Sequence, residues 1–386
     1  MTNLICLGLF FPVMNLPIAV YVSKDLGPVN IAIQVVLCFL ILGKVLVSGL
    51  AFSKQHSACL TLLVALSFYG GIIGWSTVSH TVIFLGAKFL LLPLILCSVY
   101  LLEARDYRRI IKCAFLLQIA NFVAVLFEIF VGQERLLKLG FDYGTNIRNL
   151  SGATRYPGLT LANYELGVFS AGVLVIALLA YKSMKFQLGL SRRLLVIVMI
   201  SSFGCLLGSS SRSGMLFVLI FFLSYLLVVE RNFSVFTIFI SIAISAISIA
   251  LMKSSLLVDS SSSKSRIELW GKLLGNGDPW HGAGLGTSGS ASNSTYAGLG
   301  DRIFADNQLI GLVLQFGVLG FLAFILIFVA LARASVTETF PLVIALLVTS
   351  NFLELWDYTL FLSLMYLTIF RVNFEEKRNQ EASLFS

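Results

Sequence analysis

Charge is what this sequence has least of. Asp, Glu, Lys and Arg together make 12% of its 386 residues, roughly half the share usual in soluble domains, which excludes an ordinary water-soluble globule. Cysteine is sparse and badly placed for covalent stapling. Cys6, Cys38, Cys59, Cys97, Cys113 and Cys205 all lie in or beside apolar stretches, with none in the long polar segments. That distribution excludes a disulfide framework, and without a CxxC pattern neither zinc nor cytochrome chemistry is expected. Strand-like alternation over segments of about ten residues is missing too, which excludes an outer-membrane barrel. The net charge of +8 is no nucleic-acid signal, because Lys and Arg gather in short connections and at the ends of apolar runs.

What fills the chain is hydrophobic sequence: 58% of residues are apolar. Runs of about eighteen or more recur along its length, each able to cross a hydrocarbon core of about 30 Å. Backbone in lipid must satisfy its own hydrogen bonds, so the expected fold is all-α, a polytopic membrane protein of about 10–12 transmembrane helices. The spacing predicts spans near 4–22, 28–47, 60–79, 82–102, 110–131, 159–180, 192–209, 213–230, 234–252, 306–331, 339–351 and 356–371. The N-terminus is apolar from Leu4 without a basic lead-in, and reads as a first span, not a cleaved signal.

Basic residues then give a direction. Arg105, Arg108, Arg109 and Lys112 share one connection, Lys182, Lys185, Arg192 and Arg193 another, and Arg371, Lys377 and Arg378 follow the last span. All three groups fall on one face, which the positive-inside rule makes cytoplasmic, with both termini inside. Helices of residues 1–252 then carry an outer loop near 132–158, a large periplasmic loop covers 253–305, further helices cover 306–371, and 372–386 is a cytoplasmic tail. The four tryptophans, Trp75, Trp270, Trp280 and Trp356, all fall outside. They read either as an interfacial belt or as platforms for sugar rings.

The outer side also holds arginines against the usual bias. Arg212 sits in Ser209–Gly214 between two apolar runs, where an ionised side chain costs roughly 2.5–3.5 kcal/mol at the bilayer centre and less near the interface. Small neighbours and the start of a helix suit a phosphate there, the plainer alternative being a snorkelling side chain. Arg148 and Arg155, the latter followed by Tyr156-Pro157-Gly158, form a second basic entry, and a guanidinium fork suits a diphosphate better than an ammonium does. In the long loop, Asp259–Ser265 is a serine tract, and Ile267, Trp270 and Leu274 recur at helical spacing behind Arg266. Gly284, Gly286 and Gly289 spell a nucleotide fingerprint but lack a preceding strand, and read as a flexible turn. Asp306-Asn307 opens the next span, Asp306 being either a helix cap or a base for an attacking hydroxyl. His281 is the alternative base, and Arg302 a further loop cation.

The order of these features resembles the O-antigen polymerase and O-antigen ligase superfamily over roughly 145–335. It runs from Arg155-Tyr156-Pro157-Gly158 through Ser210–Gly214, Ser265-Arg266, Trp270 and Gly282–Gly286 to Asp306-Asn307 and Phe316–Gly320. The ligases have His-Asn where this chain has Asp306-Asn307. The resemblance implies a polymerase at the outer face of a bacterial inner membrane. It would transfer a growing glycan from undecaprenyl diphosphate to the next lipid-linked repeat unit, without metal or other cofactor. Asp306, Arg266 and Arg212 would be catalytic, and Arg155, Arg148, Trp270, Trp280, His281, Arg302 and Asn307 substrate-binding. A chain-length regulator and a flippase are the partners it implies, and nucleic acid is not one. The alternatives are a ligase passing polymer to lipid A-core and a flippase or other transporter of lipid-linked oligosaccharide.

Overall fold

Apolar runs become helices because only a helix satisfies its backbone without water. The structure, a computed structural model, describes residues 54–77, 102–143, 146–150, 153–160, 162–182, 188–230, 280–287, 308–350 and 361–371, with a few isolated positions between them. Helix α1 covers Lys54–Thr77, α2 Ala104–Val131 and the short α3 Gln133–Lys138. A two-stranded antiparallel hairpin follows, β1 Arg148–Leu150 and β2 Ala153–Arg155. Then come α4 Asn163–Lys182, α5 Arg192–Ser209, α6 Arg212–Val228, α7 Gln308–Ala334 and α8 Phe340–Thr349, and α9 Phe361–Arg371. Among the described residues, four helices (α2, α4, α5 and α7) are long and apolar enough to cross a membrane. The expected spans near 4–22, 28–47, 82–102 and 234–252 lie outside the described residues.

Helix α4 sits at the centre, buried nearly all round and packed on α2, α5 and α6. Small residues set these crossings. Gly204 and Gly208 of α5, one turn apart, let Phe122 and Val125 of α2 close on the helix backbone. On the other side Gly167 of α4 meets Gly214 of α6 so closely that a Cβ on Gly214 would lie 2.6 Å from the Gly167 carbonyl oxygen. Lipid gives helices no hydrophobic reason to associate, so close backbone approach and buried polar contacts take over. The outward flank of α2 is correspondingly apolar, with Val123, Leu126, Phe127 and Phe130 exposed.

The two ends of this bundle differ in chemistry. At one end Arg371 donates to the Leu102 carbonyl at 3.0 Å and Tyr107 donates to Thr368 at 3.2 Å, tying α9 to α2. Lys182 pairs there with Glu230, joining the C-terminal ends of α4 and α6. The basic groups Arg105–Lys112 and Arg192–Arg193 share this end, as the alternation of spans requires. The opposite end holds the C-terminus of α2, the hairpin, the N-terminus of α4 and the α5–α6 turn.

Helix α7 is broken inside its apolar run. Gly317 has φ 60° and ψ −147°, a conformation confined in practice to glycine. The backbone groups released by the break are taken up by residues 280–287. Ala283 and Gly284 donate to the carbonyls of Leu314 and Gln315 at 2.8 and 3.0 Å, and Val318 donates to the Trp280 carbonyl at 3.3 Å. On its other side the segment meets α1, where the Leu285 N–H donates to the Gly70 carbonyl at 2.8 Å. Here the structure departs from the flexible turn expected of these glycines: Gly282, Gly284, Leu285 and Gly286 are buried. Their lack of side chains serves close approach, since a Cβ on Gly284 would lie 2.4 Å from the Gly74 backbone. Non-helical backbone at membrane depth is tolerated where protein satisfies it in this way.

Candidate functional site

The α5–α6 turn shows how serine builds a tight connection around an arginine. Ser209 and Ser210 donate their hydroxyls to the Leu206 and Leu207 carbonyls, each at 3.2 Å, closing the last turn of α5. Ser210 is left-handed at φ 46°, an uncommon state for a residue with a side chain. Ser211 caps α6 by accepting the Gly214 N–H at 3.3 Å. Arg212 follows at the first position of α6. Its Nε and Nη2 are buried and meet no acceptor among the described residues. A buried donor without a partner costs about 1–3 kcal/mol, more when charged, so this guanidinium is built for an acceptor from outside the chain.

The hairpin brings the second basic group to the same place. Its register sets Arg148 opposite Arg155, and β2 packs on α5. Immediately after Arg155, the Tyr156 N–H donates to the Gly208 carbonyl at 3.1 Å, in the stretch leading into the Arg212 turn. The Tyr156 ring packs with Val125, Leu166 and Cys205. Arg155 is half-buried. Two of the sequence-predicted arginines, Arg155 and Arg212, therefore come together from separate loops, with Arg148 in register beside them.

Beneath the hairpin runs a feature that the sequence reading passed over. Gln118, Asn121 and Glu128 line the inward face of α2 at helical spacing, 0%, 0% and 2% exposed. Gln118 donates to Ser170 of α4 at 3.0 Å. Asn121 accepts the Leu159 N–H at 2.9 Å, and Glu128 accepts the Gly158 N–H at 3.0 Å. The signal was present: ionisable and amide side chains inside an apolar span are rare and mark function by default. A second missed pair is Tyr164 and Tyr358, edge to face with centroids 6.0 Å apart beside the N-terminus of α4.

Trp280 and His281 belong to a different part of the molecule, the α1–α7 pair. Trp280 is 69% exposed, and the His281 carbonyl accepts from Tyr69 of α1 at 3.1 Å. Trp75, also exposed, lines with Phe68, Gly71, Ile72 and Ile83 an apolar groove of about 400 Å³ on α1. The structure thus groups two of the tryptophans near one end of α1. Arg266, Trp270, Arg302, Asp306 and Asn307, with Trp356, lie outside the described residues, as does the stretch behind Arg266 expected to be helical. Among the described residues no cluster of three or more His, Cys, Asp or Glu side chains has metal-binding geometry.

Neither a protein-family model nor any curated protein matches the chain. Its chemistry has to be read from the site. What the arrangement can do is bind an anion: the backbones of two arginine-bearing turns meet at one end of an apolar bundle, through the Tyr156–Gly208 hydrogen bond. Diphosphate groups are bound well by guanidinium forks.

Proposed function

We propose that this protein is a polysaccharide polymerase of the O-antigen type, acting at the outer face of a bacterial inner membrane in a bundle of about 10–12 spans. It would take a growing glycan from undecaprenyl diphosphate and pass it to a hydroxyl of the next lipid-linked repeat unit. The observation that carries this reading is the pair of buried Arg212 nitrogens, Nε and Nη2, without an acceptor among the described residues and close in the chain to the Gly208 carbonyl that holds the Arg155 hairpin. Diphosphate is a good leaving group, so the reaction needs stabilisation of developing negative charge more than protonation of the leaving oxygen. Arg155 and Arg212 supply it, with Arg266 from the long loop. The acceptor oxygen attacks the anomeric carbon, the bond from that carbon to the diphosphate oxygen breaks, and Asp306 takes the hydroxyl proton. Holding two lipid-linked glycans side by side provides the proximity contribution. The exposed ring of Tyr164, at the N-terminus of α4, supports a sugar ligand.

The test is deletion of the gene and gel profiling of surface polysaccharide, followed by complementation with wild type and with Arg212→Ala. Loss of polymer with a single repeat unit still attached to core is expected, uncorrected by Arg212→Ala. Normal polymer from Arg212→Ala would remove the clamp from the mechanism. Long polymer left unattached to core would point to a ligase.

One observation favours a second reading, transport of a lipid-linked oligosaccharide. Broken membrane helices are frequent in transporters, and α7 is broken at Gly317. Among the described residues the break is surrounded by apolar residues and Gly, with Gln315, whose Oε1 accepts the Gly286 N–H at 3.2 Å, and His281. The stretches 280–287 and 308–320 hold no Asp, Glu, Lys or Arg of the kind transporters place there. Spheroplasts supplied with already flipped repeat units separate the two readings, since continued polymer formation excludes a transport-only role.

A further inference from the structure

We propose that Glu128 and Asn121 act as positioning residues, a clamp on α2 that fixes the Gly158–Leu159 turn and so holds Arg155 against the Arg212 turn. The consequence for activity rests on the glycan-transfer reading above; the clamp itself rests on hydrogen bonds. Of the three polar residues on the inward face of α2, Gln118 serves helix packing, since it bonds Ser170 and approaches the Ser201 carbonyl at 3.5 Å. Among the described residues the side chains of Asn121 and Glu128 bond to no other helix. They accept the consecutive N–H groups of Leu159 and Gly158 at 2.9 and 3.0 Å.

Those two amides need acceptors because the turn is enclosed. Pro157 and Gly158 are buried, and a buried backbone N–H is almost always paired. Gly158 is left-handed at φ 62°, and its N–H and that of Leu159 take their acceptors from α2. It is also seated tightly, since a Cβ on Gly158 would meet Asn121 Oδ1 at 3.0 Å. Asn121 keeps its Nδ2 buried without an acceptor while its oxygen serves Leu159. Turning the amide over would set two donors against each other, so the Leu159 bond dictates its orientation. On the far side, the Tyr156 N–H is held by Gly208. Residues 156–159 are therefore fastened at one end to α5 and at the other to α2, and Arg155 leaves directly from the fastened end. An acid this deep in an apolar helix is costly to keep; orienting the arginine strand gives it a task.

The test combines amide hydrogen exchange of the full chain in lipid nanodiscs with binding of undecaprenyl diphosphate added to those discs. In Glu128→Ala, exchange through residues 153–162 accelerates by about tenfold or more, as a buried N–H left without its acceptor predicts. Protection of α4 and α6 stays as in wild type, and affinity for undecaprenyl diphosphate falls about tenfold. Glu128→Gln retains an acceptor oxygen and stays within about twofold of wild type in both readings. Asn121→Ala, a milder change, serves if Glu128→Ala fails to fold, with the same local loss of protection. Unchanged exchange at 153–162 in these variants overturns the clamp, and so does equal acceleration across α4 and α6, which would mark general stabilisation. Local loss of protection in a protein whose wild type binds no undecaprenyl diphosphate supports the clamp and overturns the glycan-transfer reading.

Discussion

Arg212 illustrates how a single residue can be bad for folding and good for a site. Among the described residues its Nε and Nη2 meet no acceptor, and the hydroxyls of the three serines before it are hydrogen-bonded to the ends of α5 and α6. Removing the guanidinium should therefore not destabilise the protein. Arg212→Ala is expected to unfold in detergent within about 1 kcal/mol of wild type, or slightly more stably, because an unsatisfied buried donor disappears. Polymer formation is expected to fall at least tenfold in the same variant, roughly the loss of one charge-assisted contact. Arg212→Lys keeps the charge but loses the fork, and should restore only a minor part of activity. Thermal unfolding and polymer gels measured on the same preparations check the pair. A large stability loss with proportionate activity loss would reduce Arg212 to a structural residue.

At the scale of elements, the informative ones are those in which glycine is used for contact. The Gly167–Gly214 crossing leaves so little room that a Cβ on Gly167 would lie 2.0 Å from Ser211 Cβ. Gly167→Ala should therefore cost about 1–3 kcal/mol by overpacking and displace the α6 cap that presents Arg212, a loss readable by thermal unfolding. The break in α7 is a stronger case. At Gly317 a side chain would face the Trp280 carbonyl at 2.1 Å and also need a glycine-only backbone conformation. Gly317→Ala is expected to cost about 3 kcal/mol or more. It should also favour a continuous helix that expels residues 280–287, which cysteine labelling at Thr287, buried in the native segment, would detect. These elements mark the limit of what sequence displays. The apolar runs at 110–131, 192–209 and 213–230 matched helices closely because length and hydropathy alone set a span. The glycines of 282–286 were misread as flexible because the identical spelling serves an open turn and a wedge between helices. What separates the two is the neighbour, here Gly74 and Gln315, which lies far away in the chain. The Arg155 and Arg212 turns were visible as basic motifs, but their meeting through Tyr156 and Gly208 was not. Glu128 and Asn121 were legible, as polar residues in an apolar run, and the arginines drew attention from them.

At the scale of the whole molecule, sidedness decides which anion the arginine turns can meet. At the Lys182 end, Lys182 and Arg371 tie together chain segments that carry Lys and Arg, and the arginine turns with their polar cradle lie at the other. A glycan polymerase of the proposed kind needs its cradle outside, where lipid-linked repeat units accumulate, and needs the basic connections inside. The positive-inside rule gives that orientation from sequence, but the outer arginines weaken it, because a count of basic residues in the hairpin and long loop pulls the other way. Topology can be measured without reference to activity. In a cysteine-free background, single substitutions Glu134→Cys in α3 and Arg193→Cys at the start of α5 sit at exposed positions near opposite ends of the bundle. In intact spheroplasts a membrane-impermeant maleimide should label Glu134→Cys and leave Arg193→Cys unlabelled until the membrane is opened. The reverse pattern would turn the cradle toward the cytoplasm. Arg155 and Arg212 would then bind a cytoplasmic anion, and a reaction on outward-facing lipid diphosphates would be excluded regardless of how well the site suits one.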